Sequence, residues 1–178
     1  MTRIMKVLIT GAAGFIGSSL TDRLLAAGHQ VVGIDSFEDY YARALKETNL
    51  AEATLSPDFR LVEASILDLA SADDAPDSLP ALVADSDVVF HLAAQAGVRG
   101  SWGRSFGVYT NSNVLATQLM LEAAKESGVE RFVYASSWSV YGDTDIFPMR
   151  EDANSRPFSP YGVTKLAAEN LCRLYWRN

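Results

Sequence analysis

Short apolar runs alternate along the chain with longer stretches in which apolar residues recur every three or four positions. The short runs predict five strands, over Lys6–Thr10, Gln30–Asp35, Phe59–Glu63, Val88–Leu92 and Arg131–Ser136. The longer stretches predict helices, over Phe15–Gly28, Asp39–Leu55, Val114–Glu126 and from Tyr161 to the end. Strands that alternate with helices favour an α/β fold with a doubly wound parallel sheet of the Rossmann type, in the strand order 3-2-1-4-5.

Length, charge and cysteine content narrow the class of protein. The chain has 178 residues, of which 48% are hydrophobic, so we expect a single domain that spans residues 1–178. The formal net charge is −7 without a basic cluster, which argues against nucleic acid as a partner. No apolar run approaches the roughly 20 residues of a membrane span. Cys172 is the only cysteine and fits a reducing cytoplasm, and we expect it to pack as a small apolar residue.

Three glycines, Gly11, Gly14 and Gly17, follow the first predicted strand and open the first predicted helix. The first glycine allows a sharp turn, the second lets the backbone approach a diphosphate, and the third lets helix and strand pack closely. The helix N-terminus, at Phe15 and Ile16, offers unpaired N–H groups to phosphate oxygens. The pattern therefore predicts a dinucleotide site, whereas the alternative is a glycine-rich turn that binds nothing.

An acid, Asp35, ends the second predicted strand, where the adenosine ribose of a dinucleotide would lie. A carboxylate there accepts hydrogen bonds from both ribose hydroxyls and repels a 2′-phosphate, so we predict NAD rather than NADP. The alternative is that Asp35 caps the following helix. The fourth strand ends at Leu92, and Ala93 and Ala94 begin a run of small residues that lets a ligand lie close, so we predict that Leu92, Ala93 and Ala94 contact the cofactor.

One histidine and one cluster of aspartates are further candidates for a functional site. His91 could be catalytic, but nothing nearby in the sequence forms a relay with it, so we expect a hydrogen-bonded histidine at a strand end. The segment 71–87 contains Asp73, Asp74, Asp77, Asp85 and Asp87. Because the spacing of a calcium loop is absent, we expect a solvated acidic turn and short helix rather than a metal site.

Tyr161 and Lys165 lie four positions apart, which places a phenol and an ammonium on one face of a helix. A phenol acts as a base near neutral pH only when positive charge lies close to it, and Lys165 together with an oxidised nicotinamide would supply that charge. Ser137 follows the fifth strand at the carboxyl edge of the sheet, where crevice ligands bind. We therefore predict Ser137, Tyr161 and Lys165 as the catalytic residues, with Ser137 and Tyr161 sharing a substrate hydroxyl.

Taken together, these motifs resemble the extended short-chain dehydrogenase/reductases, within the NAD-dependent epimerase/dehydratase family. The resemblance runs from Met5 to the last residue and rests on the glycine turn, Asp35, His91–Ala94, Asn113, Ser137 and the Tyr161/Lys165 pair. Within that family the chain is most similar to UDP-glucuronate and UDP-glucose 4-epimerases. The stretches that carry this closer similarity are Asp39–Tyr41, Leu45–Lys46 and Ala94–Arg99.

The resemblance implies an isomerase of carbohydrate metabolism that acts on a nucleotide-sugar. Tyr161 would take the proton of the sugar 4-hydroxyl while hydride passes to NAD, and the resulting 4-keto sugar would take hydride back on its other face. Lys165 would bind the nicotinamide ribose, and Asn113 would lie near the active site. Arg99 would contact phosphate or carboxylate groups of the substrate, or else form a surface ion pair.

The chain also departs from the family pattern. Ile66 would line the adenine site, but Ser65 replaces the acid that is common there, which changes the adenine contacts. Related dehydratases carry an Asp-Glu pair after the catalytic hydroxyl and related decarboxylases carry a Glu, whereas this chain has Trp138 and Ser139. We therefore rank both activities below epimerisation. A non-catalytic NAD-binding module is the alternative from a different class of protein.

The predicted last helix reaches Asn178 without a glycine or proline stop signal. Family members continue into a smaller domain that binds the nucleotide-sugar. We therefore expect the cofactor-binding part of a longer, cytoplasmic enzyme, truncated before the substrate domain, which binds NAD but does not epimerise a sugar by itself. In the family, helices equivalent to the Val114 and Tyr161 helices pair across a homodimer.

Overall fold

The structure, a computed structural model, describes residues 3–72, 75–144 and 147–177. Contacts within the chain define two compact units. The first unit consists of the chain up to Ala93 together with Glu122–Val133, and the second consists of Ala94–Leu121 and the chain from Tyr134 onward. The expectation of one domain over residues 1–178 stays a prediction. Among the described residues, no helix combines the length and the apolar character required to cross a membrane.

A five-stranded sheet organises the fold, and its strand order is 3-2-1-4-5, as predicted. The strands are β1 (Lys6–Thr10), β2 (Gln30–Asp35), β3 (Phe59–Glu63), β4 (Val88–His91) and β5 (Arg131–Tyr134). β1 pairs in parallel with β2 and with β4, and β2 pairs in parallel with β3. The doubly wound α/β class predicted from the sequence is therefore confirmed.

The central strand β1 is apolar from Val7 to Ile9 because both faces of the sheet are covered there. Its residues from Val7 to Thr10 are all buried, as is usual in parallel sheets with helices on both sides. Val7, Ile9, Ala12 and Val31 form a core cluster. Leucines that recur along the first helix pack against this cluster, and they are Leu20, Leu24 and Leu25. The leucines that recur with helical periodicity in the sequence therefore form the face that the first helix buries.

The helices are α1 (Phe15–Ala26), α2 (Arg43–Asn49), α3 (Ile66–Ala70), α4 (Leu79–Ala84), α5 (Phe106–Tyr109), α6 (Ala116–Lys125) and α7 (Pro160–Arg177). The predicted helix over Asp39–Leu55 is wrong in extent, because only α2 and a short 3₁₀ turn at Ala53–Leu55 are helical. The residues before Arg43 form a loop instead, and the Tyr41 hydroxyl in it donates to the Ala13 carbonyl at 3.3 Å.

The predicted helix over Val114–Glu126 also needs correction. Its regular part is α6, and a π-helical turn over Thr110–Leu115 precedes it. A π turn adds one residue to a single turn of the helix, and so short an irregularity is not evident from the apolar periodicity of the sequence. Such turns occur often at functional sites, and this one carries Asn113.

Candidate functional site

The glycine turn lies in the first unit, and two of its glycines are required by close contacts. Gly11 has φ +70°, and a Cβ there would lie 2.9 Å from the Ala93 nitrogen. A Cβ on Gly17 would lie 2.1 Å from the Gly11 carbonyl oxygen. A Cβ on Gly14 would meet the same oxygen at 3.1 Å, which a small adjustment of the backbone could relieve. Gly14 is therefore free to serve close approach of a ligand.

The start of α1 is open to an anion. Its N-cap is Gly14, whose lack of a side chain leaves the first N–H groups without a side-chain cap, and no acid lies in the first turn. Phe15 and Ile16 are both exposed, with 82% and 65% of their surface accessible. A helix that begins on a glycine turn and leaves its first N–H groups accessible suits phosphate oxygens.

Asp35 joins the glycine turn through hydrogen bonds. The Ala13 N–H donates to its Oδ2 at 3.0 Å, and the Phe37 N–H donates to its Oδ1 at 2.9 Å. Only 8% of Asp35 is exposed. The alternative that Asp35 caps the following helix is wrong, since α2 begins after Ala42.

Three residues around Asp35 were not singled out as site residues from the sequence. The Lys46 ammonium lies 3.1 Å from the Asp35 carboxylate, and both side chains are buried. Asn49 donates to the Ala13 carbonyl at 2.9 Å, beside the Tyr41 hydroxyl. Burial and the charge of Asp35 raise the pKa of Tyr41. A sequence signal exists for Lys46, because it lies four positions before the buried Leu50 and so on the buried face of α2.

Leu92 and Ala93 follow β4 and lie against the glycine turn. The Ala93 N–H donates to the Thr10 hydroxyl at 3.1 Å, and the Leu92 N–H donates to the Thr10 carbonyl at 3.2 Å. His91 is fully buried, and its Nδ1 lies 2.7 Å from the same hydroxyl. The prediction of a hydrogen-bonded histidine at a strand end is therefore confirmed.

Ser65 and Ile66 lie at the end of β3, near Asp35. The Ala64 N–H donates to the Asp35 carbonyl at 3.1 Å, which fixes this strand end beside the acid. The Ser65 hydroxyl accepts from the Leu67 N–H at 3.2 Å and caps α3. Ile66 is buried, with 6% exposed. Ser65 therefore stabilises the start of α3, a role that the lack of an acid at this position did not indicate.

The second unit carries Tyr161 and Lys165 on α7, as predicted. Tyr161 is half-buried, and its ring meets the ring of Tyr109 edge-on at 6.3 Å between centroids. Within the described ranges, the Tyr161 hydroxyl makes no hydrogen bond to protein. It therefore remains available to a substrate.

Lys165 is buried, with 3% exposed, and its ammonium lies 4.5 Å from the centroid of the Tyr134 ring. No carboxylate lies within ion-pair distance among the residues that the structure describes. Burial lowers the pKa of Lys165 to about 8. A buried ammonium with hydrogen-bond donors to spare fits a ligand that offers hydroxyl oxygens, as a ribose does.

Asn113 holds together three parts of the second unit. Its Oδ1 accepts from the Gln95 N–H at 2.7 Å, and its Nδ2 donates to the Gln95 carbonyl at 3.1 Å and to the Thr164 hydroxyl at 3.0 Å. The Thr164 hydroxyl in turn donates to the Tyr161 carbonyl at 2.8 Å. Asn113 therefore reaches Tyr161 through Thr164, a residue that sequence reasoning missed.

Ser137 follows β5, and its side chain caps the short 3₁₀ helix Trp138–Val140 by accepting from the Ser139 N–H at 3.2 Å. This bond uses the oxygen and leaves the hydroxyl hydrogen free to donate. Ala94 is exposed at the start of the second unit. Arg99 is exposed in a 3₁₀ turn, and the ion pairs within the described ranges do not include it.

The two remaining groups singled out from the sequence do not form a site in the described part of the chain. Asp73 and Asp74 lie outside the described residues, and no group of three or more potential metal ligands occurs among the described ones. Cys172 is half-buried on α7, and burial raises the pKa of its thiol to about 11. A thiol with a raised pKa is a poor nucleophile near neutral pH.

Comparison with known proteins places these features in a family. The family described as "NAD dependent epimerase/dehydratase family" matches residues 7–178. An uncharacterized UDP-glucose epimerase, YtcB, of Bacillus subtilis is 44% identical over 172 residues, which are 96% of this chain and 52% of that protein. A UDP-glucose 4-epimerase of Mycolicibacterium smegmatis is 42% identical over 174 residues, at 96% and 51% coverage.

The fold is similar to that of a solved enzyme as well. The crystal structure of UDP-glucuronic acid 4-epimerase from Bacillus cereus, in complex with UDP-glucuronic acid and NAD, matches with a TM-score of 0.89 and 43% identity. The match covers 98% of this chain and 53% of the B. cereus chain. This chain thus spans about half the length of the curated relatives that it matches.

Proposed function

Because this chain belongs to the NAD dependent epimerase/dehydratase family, we propose that it carries the NAD-binding and proton-transfer residues of a UDP-sugar 4-epimerase. The glycine turn with Asp35 bonded to it is the observation that carries the proposal. The relatives named above are UDP-glucose and UDP-glucuronic acid epimerases, and the B. cereus enzyme was crystallised with NAD.

The first unit supplies the contacts that an adenine dinucleotide needs. The Gly14 turn and the N–H groups at Phe15 and Ile16 would bind the diphosphate. Asp35 would accept from the adenosine ribose, while Ile66 and Ser65 would lie on the adenine side. Leu92, Ala93 and Ala94 would flank the dinucleotide, with small side chains at the last two positions.

The second unit supplies the proton chemistry. NAD, when bound, would accept and return a hydride at the sugar C4. Tyr161 would take the proton of the 4-hydroxyl and later give it back, because its phenol is half-buried and makes no hydrogen bond within the described ranges. Ser137 would donate its free hydroxyl hydrogen to the same sugar oxygen. Lys165 would donate to the nicotinamide ribose and favour the phenolate of Tyr161 by its charge.

Elimination and decarboxylation fit these residues less well than epimerisation. The two positions after Ser137 are Trp138, which is exposed, and Ser139, which is 2% exposed. An indole and a buried hydroxyl cannot replace the acids that a dehydratase uses to move protons.

Arg99 would bind the diphosphate or carboxylate of a UDP-sugar, because it is exposed and forms no ion pair among the described residues.

NAD binding is tested most directly by substituting a glycine that the fold does not require. Gly14→Ala adds a Cβ that meets the Gly11 oxygen at 3.1 Å and the Tyr41 hydroxyl at 4.0 Å, so the protein should fold while the diphosphate is kept away. Isothermal titration calorimetry is expected to show a loss of NAD affinity of at least about tenfold. Gly128→Ala, where an added Cβ meets nothing within 4 Å, is the matched control. Equal NAD affinity in all three proteins contradicts the proposed diphosphate site.

Epimerisation is tested in a hybrid in which this chain replaces the matching half of the B. cereus enzyme. The hybrid is expected to interconvert UDP-glucuronic and UDP-galacturonic acid, which chromatography of the nucleotide-sugars detects. Tyr161→Phe should reduce turnover by about 100-fold or more, because a positioned acid–base group contributes at least that much. Tyr40→Phe, which removes the hydroxyl of an exposed tyrosine, should have no effect. A folded hybrid that binds NAD but never turns over supports a non-catalytic NAD-binding module instead.

We also propose a cytoplasmic homodimer that associates through the helix that follows Val114 and through α7. The segment from Val114 and helix α7 expose apolar side chains, among them Leu115 at 43%, Leu174 at 55% and Trp176 at 90%. Apolar surface of this kind is typical of association sites. Light scattering should give twice the monomer mass, and Leu174→Glu should give the monomer. A monomeric unmodified chain contradicts the dimer.

A further inference from the structure

Asp35 and Lys46 form an ion pair that is buried on both sides. The Lys46 Nζ lies 3.1 Å from the Asp35 Oδ1, and the side chains are only 8% and 7% exposed. Among the described residues, the other ion pairs have partners at the surface. A pair that is withdrawn from water at this point of the fold requires a physical reason, since burying charge is unfavourable in itself.

The hydrogen bonds of Asp35 show that its carboxylate is nearly filled by the protein. A carboxylate offers about four acceptor positions. The Ala13 N–H uses one on Oδ2, while the Phe37 N–H and Lys46 use two on Oδ1. One position therefore remains, on Oδ2. Asp35 alone cannot accept from both hydroxyls of a ribose.

Lys46 has the opposite property, because it has donors to spare. An ammonium carries three N–H groups, and one of them reaches Asp35. Within the described ranges, its other neighbours are the rings of Phe37 and Tyr41, whose centroids lie 5.6 and 5.5 Å from Nζ. Aromatic faces stabilise a cation but do not occupy its N–H groups, whereas a hydrogen-bond acceptor does. Two N–H groups are left for an oxygen of a ligand.

On these grounds we infer that Lys46 is a second ribose-binding residue, which sets the selectivity between NAD and NADP. The inference rests on the proposed function of the glycine turn and Asp35. One ribose hydroxyl donates to Asp35, and Lys46 donates to a ribose oxygen. Because Lys46 neutralises Asp35, the pair repels a 2′-phosphate much less than the carboxylate alone would, and the site is more tolerant of NADP than the acid at the end of β2 suggests.

The charge balance distinguishes this role from a structural one. NADP differs from NAD only at the ribose 2′ position, where a phosphate replaces the hydroxyl, so a variant that only loosens the fold weakens binding of both to the same extent. Removal of the Lys46 charge leaves an uncompensated carboxylate beside the 2′ position and penalises NADP in particular. The ratio of the two dissociation constants therefore reports on Lys46 at the ribose.

The experiment is calorimetric titration of the whole chain with NAD and with NADP, for the unmodified protein, Lys46→Met and Lys125→Met. Lys46→Met keeps the length of the side chain and removes its charge, and Asp35 retains two backbone N–H donors. The ratio of the NADP to the NAD dissociation constant is expected to rise about fivefold or more in Lys46→Met. Lys125→Met, at an exposed lysine, removes the same net charge and should leave the ratio unchanged.

Two further variants keep the inference falsifiable. Lys46→Gln is neutral but can still donate to Asp35, so it should raise the ratio even if Lys46→Met folds poorly. Asp35→Asn removes the negative charge and should lower the ratio. If the unmodified chain binds neither dinucleotide, the proposed function is wrong and this inference falls with it. If it binds NAD with a ratio that Lys46→Met and Lys46→Gln leave unchanged, or shows no NADP binding at millimolar concentration, only the inference is overturned.

Discussion

Two lysines, one in each unit, are buried to nearly the same degree in opposite electrostatic surroundings. Lys46 is 6% exposed and Lys165 is 3% exposed. The Lys46 ammonium lies against the Asp35 carboxylate, whereas Lys165 faces the Tyr134 ring and, within the described ranges, no acid. The first unit thus neutralises its buried cation internally. The described part of the second unit offers its buried cation no counterion.

The difference shows which of the two buried charges is stabilised by a counterion within the fold. Withdrawal of an ion from water costs several kcal/mol, and a close counterion offsets much of that cost. Lys165 receives no such compensation, which is why burial lowers its pKa to about 8. Strongly perturbed groups of this kind concentrate at functional sites, where stability is given up for chemistry. We therefore expect substitutions of the two lysines to change stability in opposite directions.

Lys46→Met should give the largest effect and should destabilise the protein. It leaves the Asp35 charge buried with only the N–H groups of Ala13 and Phe37 to stabilise it. Loss of one partner of a buried pair costs about 3 kcal/mol. Urea unfolding at pH 7 measures this loss. Lys125→Met, at a surface pair, should change stability by about 0.5 kcal/mol or less. A stability change equally small in Lys46→Met contradicts the paired state of Lys46.

Lys165→Met should stabilise the protein at pH 7, by up to about 3 kcal/mol, because each unit of a lowered pKa corresponds to about 1.4 kcal/mol. The folded pKa of about 8 lies below the unfolded value near 10.4. Between these two values the unfolded chain binds more protons, so the unmodified protein gains stability as the pH rises. The methionine variant lacks this gain.

The pH dependence is therefore the control for this second prediction. The advantage of Lys165→Met should be constant below about pH 8, should shrink as the pH rises, and should vanish above about pH 10.5. Urea unfolding of both proteins between pH 7 and pH 10.5 measures it. An advantage that persists at the upper pH would mean that methionine simply packs better than lysine, and that the Lys165 charge is not the cause.

The contrast between the lysines also explains how far the sequence could predict the site. The glycine turn, Asp35 at the end of β2 and the Tyr161/Lys165 pair on α7 follow from local rules, because turns, strand ends and helical spacing depend on neighbouring residues. The parallel sheet follows from the alternation of strands and helices, and its order 3-2-1-4-5 is the usual one for the Rossmann fold. These features were predicted at the correct residues.

Contacts between residues that are distant in sequence were missed. The Lys46 to Asp35 pair and the Asn113–Thr164–Tyr161 hydrogen bonds join separate elements, so no periodicity indicates them. The loop before α2 deviates from a helix for the same kind of reason, since Tyr41 bonds to Ala13, 28 positions earlier. Tertiary contacts override local helix preference in such cases.

Thr164→Val tests how much the hydrogen bonds next to Lys165 stabilise α7. The Thr164 hydroxyl is buried, accepts from Asn113 and donates to the Tyr161 carbonyl. Loss of both bonds should cost about 1 to 2 kcal/mol in urea unfolding, because two buried polar groups lose a partner. Thr48→Val, on the exposed side of α2, removes a hydroxyl bonded only to the Ala44 carbonyl and should cost much less. Equal losses in the two variants would mean that the Asn113 hydrogen bonds add no stability to α7.

The smallest effects concern the two serines that cap helices, one in each unit. Ser65 accepts from the Leu67 N–H at the start of α3, and Ser137 accepts from the Ser139 N–H in a three-residue 3₁₀ helix. Ser65→Ala should lower the free energy of unfolding by about 1 kcal/mol, and Ser137→Ala should lower it less because so short a helix adds little stability.

The two substitutions should also differ in their effects on NAD binding and on turnover. Ser65→Ala is expected to leave NAD affinity nearly unchanged in calorimetry, since its hydroxyl serves α3. Ser137→Ala should reduce turnover of the hybrid enzyme, since its hydroxyl hydrogen points to no acceptor among the described residues and is left for the sugar. A loss of NAD affinity in Ser65→Ala that exceeds its loss of stability would instead make Ser65 a contact of the adenine side.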